Sequence, residues 1–341
     1  MIEKNVWIDI INPSQVLFFH SLIPSLDQSN VTLTFRQRGE TTQLADSLGM
    51  KGKLIGQDHK GPLNKGIDEI VRMVGLSFLA PRFDYSISFE NVMPIFASRT
   101  RSSKSIILCD NDLKLSIHES KLQQIESSIK GMSDYLIAPR SCRAKFESAY
   151  AKKEVLFFDG FKEDVYISSH NFDKDFLSQL PFKEYVVVRP EALNSLYVKK
   201  KYSMTRDIVS KLLENGENVV YLPRDAGDKE LVQDLNVFMP EKALNGIDLC
   251  YNSKCVLTGS GTMAREAACM GKKSVSYFPG NDLLSVDQEL IDNKKMMHSR
   301  DASEIVEYVC HGNGHSGEFE MERMQKTKVQ IINTLKQIMA S

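Results

Sequence analysis

The sequence has no cysteine pair at C-x-x-C spacing, a single tryptophan, no low-complexity tract, no internal repeat and no apolar run of membrane length. Each absence removes a class of protein. The six cysteines (Cys109, Cys142, Cys250, Cys255, Cys269, Cys310) have no histidine ladder and lie mostly in apolar runs such as IILCD and KCVLT. There cysteine behaves as a small hydrophobe, so buried, reduced thiols are expected rather than zinc or disulfides. No window approaches roughly 18 uninterrupted apolar residues, so no membrane span is expected. The opening MIEKNVWIDI lacks a basic n-region followed by an apolar stretch, so no signal peptide is expected either. Charge of one sign is also missing. Lys and Arg number 43 against 44 Asp and Glu, a net charge of −1. Divided at residue 170, the halves carry 21 against 20 and 22 against 24. Neither half has the field that a nucleic acid demands. An anionic ligand must therefore be held by local dipoles and a few placed cations.

What is present is a regular alternation. Short apolar runs stand at 6–10, 31–35, 53–56, 85–88, 105–109, 135–138 and 155–158, then at 185–188, 218–222, 236–239, 255–258 and 274–278. Helical periodicity fills the gaps, as at 15–27, 66–80, 116–130, 203–214, 242–249 and 262–270. Nearly all-apolar strands separated by helices indicate parallel sheets covered on both faces. Two series of strands suit two doubly wound α/β domains better than one barrel. The polar, proline-containing stretch around 165–184 is the natural linker. The expected domains are 1–168, 169–316 and a C-terminal helix within 317–341, with a return to the first domain open to it. In such sheets ligands lie beyond the carboxyl ends of the strands, and two facing domains would form a cleft.

The sharpest motif is TGSGTMAREAACMGKK, starting at residue 258. It reads as a strand end, a glycine turn and a helix. Gly259 and Gly261 permit positive φ or close approach to a ligand, and Ser260 and Thr262 add hydroxyls, where a helix start attracts anions. Glu266 lies four residues beyond Thr262 on the same helical face, placed to accept both hydroxyls of a ribose. A plain helix cap with a dipole-favouring Glu is the bland reading. A P-loop is excluded because its lysine is missing. The pattern G-x-G-x-x-A at 259–264 keeps a dinucleotide fold in play, although Asp282 follows a Pro-Gly beyond the strand rather than ending it.

Other strand tips carry chemistry too. Arg189 in VVVRPE and Arg224 in YLPRD end consecutive strands and are placed to fork onto a diphosphate. Asp110 and Asp112 in LCDNDLK could orient or deprotonate an acceptor hydroxyl, bind a cation, or form a solvated turn. Asn12 and Pro13 follow the first strand, as a functional loop or an ordinary turn opener. His20 and His118 carry no motif. The basic stretches 51–65 and 98–104 read as solvated loops, with an anionic acceptor as the sharper alternative.

The glycine segment resembles the nucleotide-sugar loop of GT-B-fold proteins, including UDP-N-acetylglucosamine 2-epimerases and the glycosyltransferase that makes lipid II. There a Glu six residues after the Ser holds the ribose, a spacing that Ser260 and Glu266 keep. The whole chain resembles a prokaryotic, largely archaeal domain-of-unknown-function family with a GT-B-like fold. WIDIINPSQVLFF, DND, VVVRP, LPR and PEKALNGIDL carry that resemblance along with the loop. This chain departs from the family where Ser14-Gln15 replaces its usual Pro-His. The resemblance implies a metal-independent glycosyltransferase with a UDP-like sugar donor, no cofactor, and an acceptor left open, lipid- or polymer-linked sugars included. Candidate catalytic residues are then Asp110, Asp112 and Gln15. Candidate substrate-binding residues are Asn12, Pro13, Arg189, Arg224, Gly259, Ser260, Gly261, Thr262 and Glu266, with no metal ligand. A 2-epimerase-like isomerase and a non-catalytic sugar-nucleotide or polymer binder are the alternatives, with a dehydrogenase last. A cytoplasmic protein, with peripheral membrane contact left open, is expected.

Overall fold

The computed structural model describes residues 4–26, 29–37, 39–57, 62–116, 121–191, 203–280, 282–312 and 317–340. His118 and part of the basic stretch 51–65 lie outside the described residues. The chain divides into two compact units, Met1–Ser168 with Arg323–Ser341, and Ser169–Glu322. No helix among the described residues is long and apolar enough to cross a membrane.

Seven parallel strands build the first unit: β1 (Lys4–Ile10), β2 (Ser29–Gln37), β3 (Lys53–Gln57), β4 (Tyr85–Phe89), β5 (Lys104–Leu108), β6 (Tyr135–Pro139) and β7 (Val155–Phe158). Their order is β3-β2-β1-β4-β5-β6-β7. The chain moves outward from β1 to β3, then returns to the other side of β1 with β4. The central strands β1, β4, β5 and β6 are buried almost throughout, as continuous apolar content requires of a sheet covered on both faces, while the edge strands β3 and β7 are partly exposed. The lone tryptophan, Trp7, is fully buried and donates its indole N–H to Thr34 Oγ1 at 2.9 Å. Thr34 in turn donates to Asp9 Oδ1 at 2.5 Å. Asp9 also takes both a fork from Arg72 Nη2, at 2.7 and 2.8 Å, and the Asn91 amide at 2.6 Å. Both members of the Arg72–Asp9 pair have side chains at 0% exposure. This buried network ties β1 and β2 to the helix Pro62–Leu79, which crosses back over the sheet.

The helix Met321–Ala340 completes the first unit rather than the second. Arg323 forks onto buried Asp164 at 2.7 and 2.9 Å, Gln330 Oε1 accepts the Asp159 N–H at 2.9 Å, and the Tyr85 hydroxyl donates to the Ile338 carbonyl. Gly160 has φ +90, and a Cβ there would lie 2.5 Å from both Asp164 and Thr327, so glycine is required for the clamp to close.

The second unit is a five-stranded parallel sheet of β8 (Val186–Arg189), β9 (Val219–Tyr221), β10 (Cys255–Thr258), β11 (Lys273–Ser276) and β12 (Met297–His298), in the order β12-β11-β10-β8-β9. The helices Thr205–Glu214 and Ala302–Cys310 cover one face through Ile208, Leu212, Ile305 and Val309. One expected strand is not formed: 236–239 contributes a single bridge, Val220 to Phe238. The fifth strand is instead β12, two residues long and too short for any periodicity to announce. All six cysteines are free, five of them buried.

Removing one partner of a buried ion pair strands the other charge, at a cost of about 3–5 kcal/mol. Arg72→Met is therefore expected to lower unfolding free energy by about that amount in urea titration, and Asp9→Asn by a similar amount. A loss below about 1 kcal/mol in both would show that this network is not what fixes the helix to the sheet.

Candidate functional site

In the second unit the chain runs from β8 outward to β9 and then returns to the opposite flank of β8 with β10. At such a reversal the crossover helices leave in opposite directions, and a crevice opens beyond the carboxyl ends of the two central strands. Register places Arg189, the last residue of β8, beside Thr258, the last of β10. The glycine turn follows at once, and its helix spans Gly261–Cys269 with Ser260 as N-cap (φ −136, ψ 141).

The two glycines are explained by crowding. Neither has positive φ, which corrects one of the two reasons offered for them above. A Cβ on Gly259 would lie 2.4 Å from the Cα and Cγ of Glu191, and one on Gly261 would lie 2.4 Å from Arg265 Nη1. Part of the turn's donor capacity is already used: Gly259 N–H donates to the Arg189 carbonyl at 3.2 Å, and Ser260 N–H to Thr258 Oγ1 at 3.0 Å. The helix itself is capped by no side chain, so the first-turn N–H groups from Gly261 onward have no side-chain acceptor at the cap. Beneath them the buried pair Arg265–Asp287, at 2.8 Å, stiffens the helix start.

Glu266 is buried one turn into that helix. The thiol of Cys250 is pushed well up by burial and further by the charge of Glu266, while Arg189 pulls it down. No hydrogen bond or ion pair engages the Arg189 guanidinium among the described residues, although its carbonyl accepts the Tyr277 hydroxyl at 2.8 Å. Arg224 stands one strand further out, beyond β9, where its N–H donates to Asp228 Oδ2 at 2.9 Å. The structure thus gathers Arg189, Gly259, Ser260, Gly261, Thr262 and Glu266 around one reversal, with Arg224 on its flank.

Sequence reasoning missed the floor of this site. Glu191 is buried and accepts from Ser203 Oγ, Met204 N–H, Thr205 Oγ1 and Arg300 Nη1 at 2.6–3.0 Å. An acid two residues past a strand tip was its only local signal. His298, on β12, is also new. Its Nδ1 lies 2.9 Å from the Ser276 carbonyl, which can only accept, so Nδ1 carries the proton. Burial holds the imidazole below its ordinary pKa.

The first unit has the same reversal, between β1 and β4. Gln15 is buried, its Oε1 accepting the Ile11 N–H at 2.8 Å and its Nε2 donating to the Phe89 carbonyl at 2.7 Å. It closes the reversal as a brace between strand ends, with both polar atoms of its amide engaged. Asn12 and Pro13 form the N-cap and first residue of the helix Pro13–Leu22, with the Asn12 carbonyl accepting from Gln15 and Val16. Asp110 is paired with mostly buried Lys162 at 2.7 Å, and fully buried Asp112 with Lys145 at 3.3 Å. Lysine-held carboxylates this deeply buried are poorly placed to take a proton from a substrate. Among the described residues, no cluster of acidic, His and Cys side chains has the makings of a metal site.

Residues 4–339 match the family described as Protein of unknown function (DUF354), and the chain belongs to that family. It is similar to an uncharacterized protein of Methanocaldococcus jannaschii, 27% identical over 323 residues that cover 91% of this chain and 92% of the relative. Solved structures share its fold. The UDP-N-acetylglucosamine 2-epimerase of Rickettsia bellii gives a TM-score of 0.70 at 11% identity, over 98% of this chain and 96% of its own. The M. jannaschii UDP-GlcNAc 2-epimerase in complex with UDP-GlcNAc and UDP gives 0.68 at 12%, over 97% and 99%. The glycotransferase of kitacinnamycin gives 0.56 at 10%, over 98% of each chain. The likeness establishes a GT-B-like fold of two Rossmann-like, parallel-sheet units.

Two outcomes follow from this geometry. Gly259→Ala forces backbone to move, and is expected to cost about 1–3 kcal/mol in urea unfolding. Gly246→Ala, where a Cβ meets nothing within 4 Å, should stay within about 0.5 kcal/mol. His298 is held neutral by burial, so its contribution is complete above its unfolded pKa and is lost as pH falls through the lower folded one. Between pH 7 and pH 5 the wild type should lose more stability than His298→Gln, compared by urea titration at both pH values.

Proposed function

We propose that this protein binds a nucleoside diphosphate sugar in its second unit and transfers the sugar as a metal-independent glycosyltransferase. One observation carries the reading: the β8–β10 reversal sets a helix start without a side-chain cap beside Arg189, whose guanidinium has no hydrogen bond or ion pair among the described residues, with Glu266 buried on the same helix. The first-turn N–H groups suit a phosphate, Glu266 suits the two ribose hydroxyls, and Arg189 with Arg224 suits the diphosphate. As the bond from the anomeric carbon to the diphosphate oxygen breaks, negative charge gathers on the departing diphosphate. The helix dipole and the guanidinium groups meet it there, supplying the positive charge that a metal supplies elsewhere. Asn12 and Pro13, at the reversal of the first unit, stand on the acceptor side. Asp110 and Asp112 shape that side through their lysines. The substrate brings the only cofactor-like group, and a glycan acceptor completes the reaction.

A second reading is favoured by the comparisons. The two epimerases resemble this chain more closely than the glycotransferase does, at 0.70 and 0.68 against 0.56. A UDP-sugar 2-epimerase would use the same nucleotide contacts. A binder without chemistry would use them too.

Incubation with UDP-GlcNAc in deuterated buffer separates the three. Slow release of free UDP without label at the sugar C2 supports transfer. Label at C2 establishes epimerisation, and binding with neither result leaves a binding protein. Glu266→Ala should weaken UDP affinity about 10- to 100-fold in calorimetric titration, as the loss of charged hydrogen bonds entails. Unchanged affinity would sink the nucleotide site altogether.

A further inference from the structure

Arg300 follows β12, and no motif marks it. Among the described residues its guanidinium is anchored at one corner: Nη1 donates to Glu191 Oε1 at 3.0 Å and to the Tyr277 carbonyl at 2.6 Å. Both anchors are themselves fixed. Glu191 is held by Ser203, Met204 and Thr205, and the Tyr277 hydroxyl by the Arg189 carbonyl and Thr205 Oγ1. The opposite edge, Nε with Nη2, meets no hydrogen-bond partner among the described residues, and the side chain is 22% exposed.

That edge presents two parallel N–H donors at the spacing of two oxygens on one phosphate. It is also close to the reversal. The atoms of Glu191 that pack against Gly259 belong to the same side chain that grips Nη1, so a single residue separates the guanidinium from the glycine turn. A strut between one carboxylate oxygen and one carbonyl does not need a guanidinium, because an ammonium group can make both bonds. The free edge is what arginine adds.

We propose that Arg300 binds the sugar-bearing phosphate of a nucleoside diphosphate sugar through its Nε–Nη2 edge, with Glu191 as the positioning residue that orients it. This rests on the second unit being a nucleotide-sugar site. With Glu266 on the ribose and the helix start on the first phosphate, the second phosphate falls to the arginines at the strand tips, and Arg300 joins Arg189 and Arg224 in meeting its charge.

The test compares UDP with UMP by calorimetric titration on the full chain, for the wild type, Arg300→Lys and Arg300→Met, with thermal unfolding of each. Lysine keeps the bonds to Glu191 and Tyr277 but not the edge, so Arg300→Lys should unfold within a few degrees of wild type. It should bind UDP about tenfold more weakly while its UMP affinity stays unchanged. Arg300→Met should lose UDP affinity at least as far. Glu191→Gln should show the same selective loss for UDP over UMP, which a purely structural defect would not. Wild-type UDP affinity in Arg300→Lys, or equal losses for UDP and UMP, would overturn the role of Arg300 and leave the nucleotide site standing. A wild-type protein that binds neither nucleotide would overturn both.

Discussion

The architecture depends on a constraint of parallel sheets. A strand can be joined to a parallel neighbour only by a crossover, and when the direction of crossing reverses, two adjacent strand ends are left uncovered. Each unit contains one such reversal, at β1–β4 and at β8–β10. The two openings are lined differently.

In the first unit the opening is filled by the protein. Gln15 bonds to both strand ends, and the neighbouring Asp9 collects Arg72, Thr34 and Asn91. In the second, the turn is held from below by Glu191 and by the Arg265–Asp287 pair, while the helix start above it receives no capping side chain. A rigid floor under unspent donors is how a site is kept ready for an anion without collapsing onto itself.

Much of the fold was legible because its signals are local. Continuous apolar runs announced eleven of the twelve strands, and Ser260 and Glu266 share a single helix. What was not legible depends on distance along the chain. Gln15 looked like a substitute for a family histidine, yet its role is set by Phe89, 74 residues away. The partner of Asp110, Lys162, lies 52 residues further along the chain. Glu191 and Arg300 meet across 109 residues. The glycines were read as room for a left-handed backbone or for a ligand; what they avoid in the fold is collision with Glu191 and Arg265.

The helix that completes the first unit is encoded after the whole of the second. On the ribosome, Asp164 must therefore wait for Arg323 while 158 intervening residues are added. At the usual pace of about 5–20 residues per second, that is roughly 10–30 s. During that interval a nascent first unit carries an unmatched acidic residue and an uncovered helical seat. The second unit, continuous in sequence, has no such delay. The contacts that complete the second unit are thus all encoded before the last of those that complete the first.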